Sequence, residues 1–258
     1  MRIAETLNVG LDAVAFVDED PFERAEVAHL LPEVLVLAVA DLESALAAGG
    51  RFAAGPPTGE GRRRAAMYRD EERRRQAEAG FAGGRAAFLR WCAMRLEIGP
   101  AAAAELDRLV ELGERTHRLN STATRHGRDE VARWLAAGGL VRARLADRFG
   151  DSGLIGMVAV DRSAAADWEV ELLAVSCRVD GRGVPAALLR WTMDAARAAG
   201  AAGLRARYRP NGRNVRLALL LRQLGFERAG TEAETVVFRR SLTGPLPAYP
   251  EWLEIAGG

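Results

Sequence analysis

Apolar and polar positions along this chain change period several times, and the changes mark out its elements. Near the front, "LDAVAFVDED" carries an apolar run, Val14 to Val17, that ends in acids, as a strand does on entering a turn. "PFERAEVAHLLPEV" then sets apolar residues at helical spacing behind Pro21, so the first 35 residues predict helix end, strand, turn and helix. Residues 41 to 60 hold a short helix and then "GGRFAAGPPTGEG", a Gly/Pro-rich breaker that predicts a domain boundary. Residues 62 to 95 read as helix with arginine-rich turns. There Arg62 to Arg64 and Arg73 to Arg75 alternate with acids, as on a solvated face.

From about Gly99 the order becomes helix, loop, three strands, helix, strand, helix, strand. "LVRARLADRFGDSGLIGMVAV" predicts two strands joined at "FGDSG", and "DWEVELLAVS" a third. "VPAALLRWTMDAARAAG" is amphipathic, opening at Pro185 and closing at Gly200. "GLRARY", "NVRLALLLRQLGF" and "TVVFRR" add strand, helix and strand. A hairpin followed by strand–helix alternation predicts an α/β fold built on a mixed sheet flanked by helices.

Composition narrows the function classes. The 258 residues are 49% hydrophobic and 28% charged, enough for one or two cores. No apolar run reaches membrane-spanning length and no signal-peptide pattern opens the chain, so a cytoplasmic protein without a membrane partner is expected. A net charge of +1 argues against a nucleic-acid partner. All 36 basic residues are arginine, so phosphate contacts must use guanidinium forks, backbone amides or a metal. The two cysteines, Cys92 and Cys177, give neither a disulfide framework nor zinc spacing. Cys92, inside apolar "FLRWCAMRL", is expected in the core.

Chemistry concentrates in "AVSCRVDGRGVP". A strand running through "RVDGRG" into a helix gathers backbone N–H groups and a helix N-terminus at one point, a place for a diphosphate. Gly181 and Gly183 permit close approach, and Arg178 and Arg182 add charge. Arg178-x-x-Gly181-x-Gly183 resembles the pyrophosphate loop of the GCN5-related N-acetyltransferase (GNAT) fold. "NVRLALLLRQLGF", with Asn214, Gly225 and Phe226, resembles that fold's closing helix. This resemblance covers about residues 100 to 240 and implies phosphopantetheine or coenzyme A as cofactor, bound by Arg178, Val179, Gly181, Arg182, Gly183, Val184 and Asn214. The tyrosine that often protonates the departing thiolate in that fold is replaced by Leu221.

"VAFVDEDPFERAEVAHLLPEV", "THRLNSTATRHG", "LADRFGDSGLIG" and "SCRVDGRGV" occur in the order seen in FkbH-like proteins, which join a haloacid-dehalogenase (HAD) type phosphatase to a GNAT-like domain. The resemblance implies transfer of a glyceryl-like acyl group from an acyl phosphate such as 1,3-bisphosphoglycerate, through an enzyme thioester on Cys177, to the phosphopantetheine thiol of an acyl carrier protein in polyketide assembly. Arg178, Arg182 and a helix N-terminus would favour the Cys177 thiolate. His117 is the candidate base for Cys177, and Thr116, Asn120, Thr122 and Arg125 are candidate substrate ligands. Arg115, His117, Arg118 and Leu119 depart from the family's usual Lys, Asn, Gln and Phe.

Asp18 and Asp20 resemble the last acidic motif of HAD phosphatases, which holds Mg²⁺. The family's remaining phosphatase motifs would lie ahead of Met1, so no phosphatase centre is expected here and Mg²⁺ only if that half is supplied. The implied organisation is a HAD-like remnant over 1–48, a helical linker over 49–98, a GNAT-like domain over 99–245 and a tail over 246–258. Two further readings stay open. One is a coenzyme A-dependent N-acyltransferase with Glu169 or Glu171 as base through water. The other is a catalytically degenerate module that only binds a carrier protein.

Overall fold

The computed structural model describes residues 11–48 and 64–256, which fall into two compact units divided at Arg63/Arg64. The predicted boundary over 49–60 lies outside the described residues, as do Arg62 and Arg63.

In the first unit, β1 (Ala15–Asp18) pairs in parallel with β2 (Leu35–Ala38), and α1 (Pro21–Leu30) connects them. Asp20 caps α1 by accepting from Phe22 N at 2.8 Å, with Pro21 in the first turn where its missing N–H is harmless. A short helix, α2 (Leu42–Ala47), follows.

The second unit begins with α3 (Arg64–Ala79) and α4 (Arg85–Trp91), then β3 (Met94–Pro100), α5 (Leu106–Arg115), α6 (Arg128–Ala136), β4 (Leu140–Asp147), β5 (Gly150–Asp161) and β6 (Asp167–Val175). It ends with α7 (Val184–Ala198), β7 (Gly203–Tyr208), α8 (Val215–Gln223), β8 (Glu227–Glu232), β9 (Thr235–Ser241) and β10 (Leu253–Ala256). One mixed sheet of eight strands runs β10-β3-β4-β5-β6-β7-β9-β8, antiparallel except for the β10·β3 and β6·β7 pairs. The predicted α/β class holds.

Side chains divide between two cores, and an irregularity in the pairing with β4 (Ala143↔Gly156, then Arg144↔Leu154) shifts the alternation at Ile155. Leu154, Met157 and Ala159 of β5 meet Leu109 and Leu112 of α5 and Val131 and Trp134 of α6. Ile155, Val158 and Val160 turn the other way, onto a core shared with α4, α7 and α8.

Four expectations are corrected. Residues 62 to 95 are not one helix: a break at Gly80–Gly84 separates α3 from α4, and β3 starts at Met94. Nor is the described part of the expected linker, residues 64–98, a linker, because Phe88, Leu89 and Cys92 are at most 4% exposed within the second unit's core. The tail carries β10, which pairs with β3 from Leu253↔Met94 to Ala256↔Glu97. The β4–β5 hairpin turns at Arg148–Phe149, just ahead of most of "FGDSG".

Candidate functional site

The site begins with an irregularity in β6. Val160 pairs with Val170 and Ala159 with Leu172, so Glu171 is an extra residue, a β-bulge. The bulge shifts the alternation: Val170, Leu173 and Val175 share one core while Leu172 and Ala174 face the other. At the same point β6 leaves its neighbour, since the β6·β7 pairing runs only from Asp167↔Gly203 to Val170↔Ala206.

The edge of β6 beyond the bulge is taken by the chain itself. Asn120 bridges Ala174 in antiparallel fashion, Val175 N donates to Leu119 O at 2.9 Å, and Ser121 N donates to Leu173 O at 2.9 Å. Ser121 Oγ accepts from Leu173 N at 3.0 Å. On the far side Arg209 N donates to Ser121 O, and Asn214 Nδ2 donates to Asn120 O at 3.0 Å. Residues 119–121 therefore fill the gap between the diverging strands like an added strand.

Beyond Val175 the chain makes a 3₁₀ turn, Cys177–Val179, and enters α7 through Gly181 (φ 74°) and Gly183 (φ 86°), both left-handed, which glycine adopts without a Cβ clash. The N–H groups of Gly181, Gly183 and Val184 are not tied to other described residues and lie at the N-terminal end of α7, where anions bind. Cys177 is half-buried at the start of this turn. Arg178 donates to Met67 Sδ at 2.8 Å and to Ser176 Oγ at 3.4 Å.

Arg182 does not face a ligand. It is 5% exposed, ion-paired with Glu71 of α3, 3.9 Å from Asp147, and donates to Arg178 O at 3.0 Å. Its charge stabilises the loop from within, which corrects its assignment as a diphosphate ligand. Val179 is likewise buried in the core and its N–H donates to Ser176 O at 3.1 Å, which corrects its assignment as a cofactor ligand. Asn214, expected to bind cofactor, is a fully buried clamp. Its Oδ1 accepts from Tyr208 Oη at 3.0 Å and Asn211 N at 3.1 Å, and its Nδ2 also donates to Arg209 O at 2.9 Å.

The "THRLNSTATRHG" residues divide in the same way. Thr116 is buried and its hydroxyl donates to Leu112 O at 2.7 Å, closing the end of α5. Asn120 is 1% exposed; its Nδ2 donates to Thr116 O and Thr124 O, and its Oδ1 accepts from Thr122 N and Oγ1. Both are turn-forming groups, so the reading of Thr116 and Asn120 as substrate ligands is corrected. Thr122 is half-buried, Arg125 exposed, and His117 half-buried with its carbonyl accepting from Asn211 Nδ2 at 3.4 Å. The pairing with β6 ends at Leu119–Val175, and Cys177 lies in the 3₁₀ turn beyond it, so the expected pairing of His117 with Cys177 is not carried by this strand edge. His126 and Glu130 were not anticipated: His126 is 6% exposed, 2.7 Å from Thr122 Oγ1 and from Glu130 Oε2. Their only trace in sequence is the four-residue spacing of "HGRDE".

The alternative bases are already engaged. Glu169 lies 3.3 Å from Arg205 and 3.1 Å from Arg207, and Glu171 accepts from Trp134 Nε1 at 2.7 Å. Leu221 packs in the core. In the first unit Asp18 accepts from Asp20 N, while Asp20 caps α1, and no group of three or more metal-ligating side chains forms among the described residues. Two carboxylates engaged in a turn and a cap do not make a Mg²⁺ site by themselves. No helix among the described residues is long and apolar enough to cross a membrane.

No family model matches the chain, and no curated protein matches it. Solved structures do. The ribosomal-protein-S18-alanine N-acetyltransferase of Escherichia coli is 16% identical over 58% of this chain and 96% of its own, with a TM-score of 0.46. N-acetylglutamate synthase of Neisseria gonorrhoeae, complexed with coenzyme A and N-acetyl-glutamate, is 17% identical over 58% of this chain and 35% of its own, TM-score 0.46. The PaiA N-acetyltransferase of Thermoplasma acidophilum, in complex with coenzyme A, is 16% identical over 57% and 98%, TM-score 0.44.

Proposed function

We propose that this chain is an acyltransferase of the GNAT type that takes its acyl group from coenzyme A or a related pantetheine thioester. One observation carries the reading: the turn 176–184 brings two left-handed glycines and the start of α7 together with backbone N–H groups that bond no other described residue. Bound there, the cofactor would supply an activated acyl thioester. The N–H groups of Gly181, Gly183 and Val184 hold the diphosphate, Arg178 adds charge at the same turn, and Arg182 keeps the turn rigid through Glu71.

The pantetheine arm, a chain of amides, suits a strand edge, yet residues 119–121 already pair with that edge of β6. The arm and Leu119–Ser121 compete for the Leu173 carbonyl and the Val175 N–H. Coenzyme A binding would therefore release this segment. Calorimetric titration with coenzyme A, followed by hydrogen exchange at the Ser121 and Val175 amides, tests both points. Binding with loss of protection at Ser121 supports the reading; no heat and no exchange change at millimolar coenzyme A overturns it.

A second reading, glyceryl-like transfer through a Cys177 thioester to an acyl carrier protein, is favoured by the half-buried thiol on the same turn as the proposed diphosphate site. Intact mass after incubation with 1,3-bisphosphoglycerate, Mg²⁺ and a phosphopantetheinylated carrier, for the native chain and Cys177→Ser, decides it. A thiol-dependent adduct that passes to the carrier supports it, and its absence overturns it.

A further inference from the structure

We propose that Thr122, His126 and Glu130 form a hydroxyl–imidazole–carboxylate relay in which Thr122 Oγ1 accepts an acyl group. Glu130 Oε2 lies 2.7 Å from His126 Nδ1, and His126 Nε2 lies 2.7 Å from Thr122 Oγ1. A carboxylate on Nδ1 holds the ring proton on that nitrogen and leaves the Nε2 lone pair facing the hydroxyl, the arrangement that activates an otherwise weak nucleophile.

The imidazole is fixed from several sides. Trp134 packs on it at 5.1 Å between ring centroids, and Trp134 is itself anchored through Nε1 to Glu171. Thr124, exposed to solvent, places a second hydroxyl 3.2 Å from Nε2 and 2.9 Å from Thr122 Oγ1, so the relay opens outward. Between the two threonines Ala123 sits at φ 59°, a left-handed conformation that costs a non-glycine residue about 1–3 kcal/mol and gathers at functional turns. Asn120 holds the turn through three bonds that do not use the Thr122 hydroxyl proton, from its Nδ2 to Thr116 O and Thr124 O and from Thr122 N to its Oδ1, so that proton is free to turn from Asn120 Oδ1 to His126 Nε2.

In the step, Oγ1 attacks the acyl carbonyl carbon. The O–C bond forms, the hydroxyl proton passes to Nε2, the carbon–sulfur bond breaks, and the departing thiolate takes the proton from Nε2. An amine or water then removes the acyl group with the same imidazole as base. That the donor is a thioester rests on the reading above; the relay itself does not. Thr122 and Cys177 lie on separate segments, the one just past Ser121, which bonds Leu173, and the other in the turn beyond β6, so adducts on the two are told apart by peptide mapping.

The test is acetylation of the full chain by p-nitrophenyl acetate and, separately, by acetyl-CoA, with adducts mapped by peptide mass. There is no lysine to take the label. Expected is a burst of p-nitrophenolate with an acetyl ester on Thr122, slowed about 100-fold in Thr122→Val and in Glu130→Gln and restored by Thr122→Ser. Glu130 is 37% exposed, so Glu130→Gln should fold normally and keep the result readable. Label on Cys177 alone, label on no residue, or an unchanged burst in Glu130→Gln would overturn the relay. Thr122 labelled by the ester but not by acetyl-CoA would support the relay and count against the thioester donor.

Discussion

Arg182, in the turn that leads into α7, is ion-paired with Glu71 of α3 while both lie beside Arg74 and Asp147 in a nearly dry cluster. Burial, and then the neighbouring Arg182 charge, draw Arg74 below the ordinary guanidinium range. The cluster couples the first helix of this unit to the proposed diphosphate turn. Arg182→Ala leaves Glu71 and Asp147 short of a cation and should cost about 3 kcal/mol in urea unfolding, as breaking a buried pair does. A loss below about 1 kcal/mol, the scale of an exposed pair, would show that the cluster is not an anchor.

The two cysteines should separate by reactivity. Cys92 is fully buried, and burial pushes its thiol up against the opposing pull of Arg74, 3.2 Å away. Cys177 is half-buried on the turn. Iodoacetamide should alkylate Cys177 in the native protein and Cys92 only after unfolding. Equal labelling of both without denaturant would contradict the packing of α4.

Asn214 ties Asn120 to Arg209 and so holds the plug segment between β6 and β7. Asn214→Ala removes a group two of whose partners, Asn120 and Tyr208, are buried, and each orphaned buried partner costs about 1–3 kcal/mol. The variant should be destabilised and should exchange the Ser121 amide faster than Asn211→Ala, a change at an exposed position. Equal exchange in the two variants would remove Asn214 from the plug.

What was legible in the sequence follows from what periodicity can encode. β5, β6 and α7 carry buried apolar residues at strand or helix spacing and were foreseen. β8 is exposed at all six positions, so "ERAGTE" carries no apolar alternation, and β10 is only four residues in a proline-rich end. The turn 176–184 was legible because glycines and a helix start announce themselves locally. Arg182 and Asn214 were given the wrong role because their partners, Glu71 and Asn120, lie about a hundred residues away. His126 was missed for a related reason: one histidine in polar "TRHG" says nothing until Thr122 and Trp134 are seen beside it.

Asp167 offers a pH dependence of definite sign. Hydrogen bonds from Arg239, Nε at 2.7 Å and Nη2 at 2.9 Å, hold its carboxyl below the usual range. A folded-state pKa below the unfolded value means the contribution is present above about pH 4 and is lost as pH falls through the folded value. The pair is partly exposed, so Asp167→Asn should cost about 1 kcal/mol or less at neutral pH. It should also flatten the acid limb of Tm against pH below 4. An acid limb as steep as that of the native chain would show the pair adds nothing.

The two glycines of the turn should differ although both are left-handed. A Cβ on Gly183 would stand 2.8 Å from Pro250 Cγ and 3.3 Å from Trp252 Nε1, the group that donates to Arg182 O at 2.8 Å. Pro250 belongs to a ring-stiffened segment that leads into β10, so it yields only by moving the chain end. A Cβ on Gly181 would meet the far end of the Arg85 side chain, which can swing away. The left-handed backbone alone costs an alanine about 1–2 kcal/mol at either site. Gly183→Ala should therefore lose about 1 kcal/mol more than Gly181→Ala, as overpacking against a stiff neighbour does. It should also open the end of the chain to limited proteolysis near Trp252. Equal losses, with the end of the chain still protected, would mean that the contact with Pro250 does not hold the turn in place.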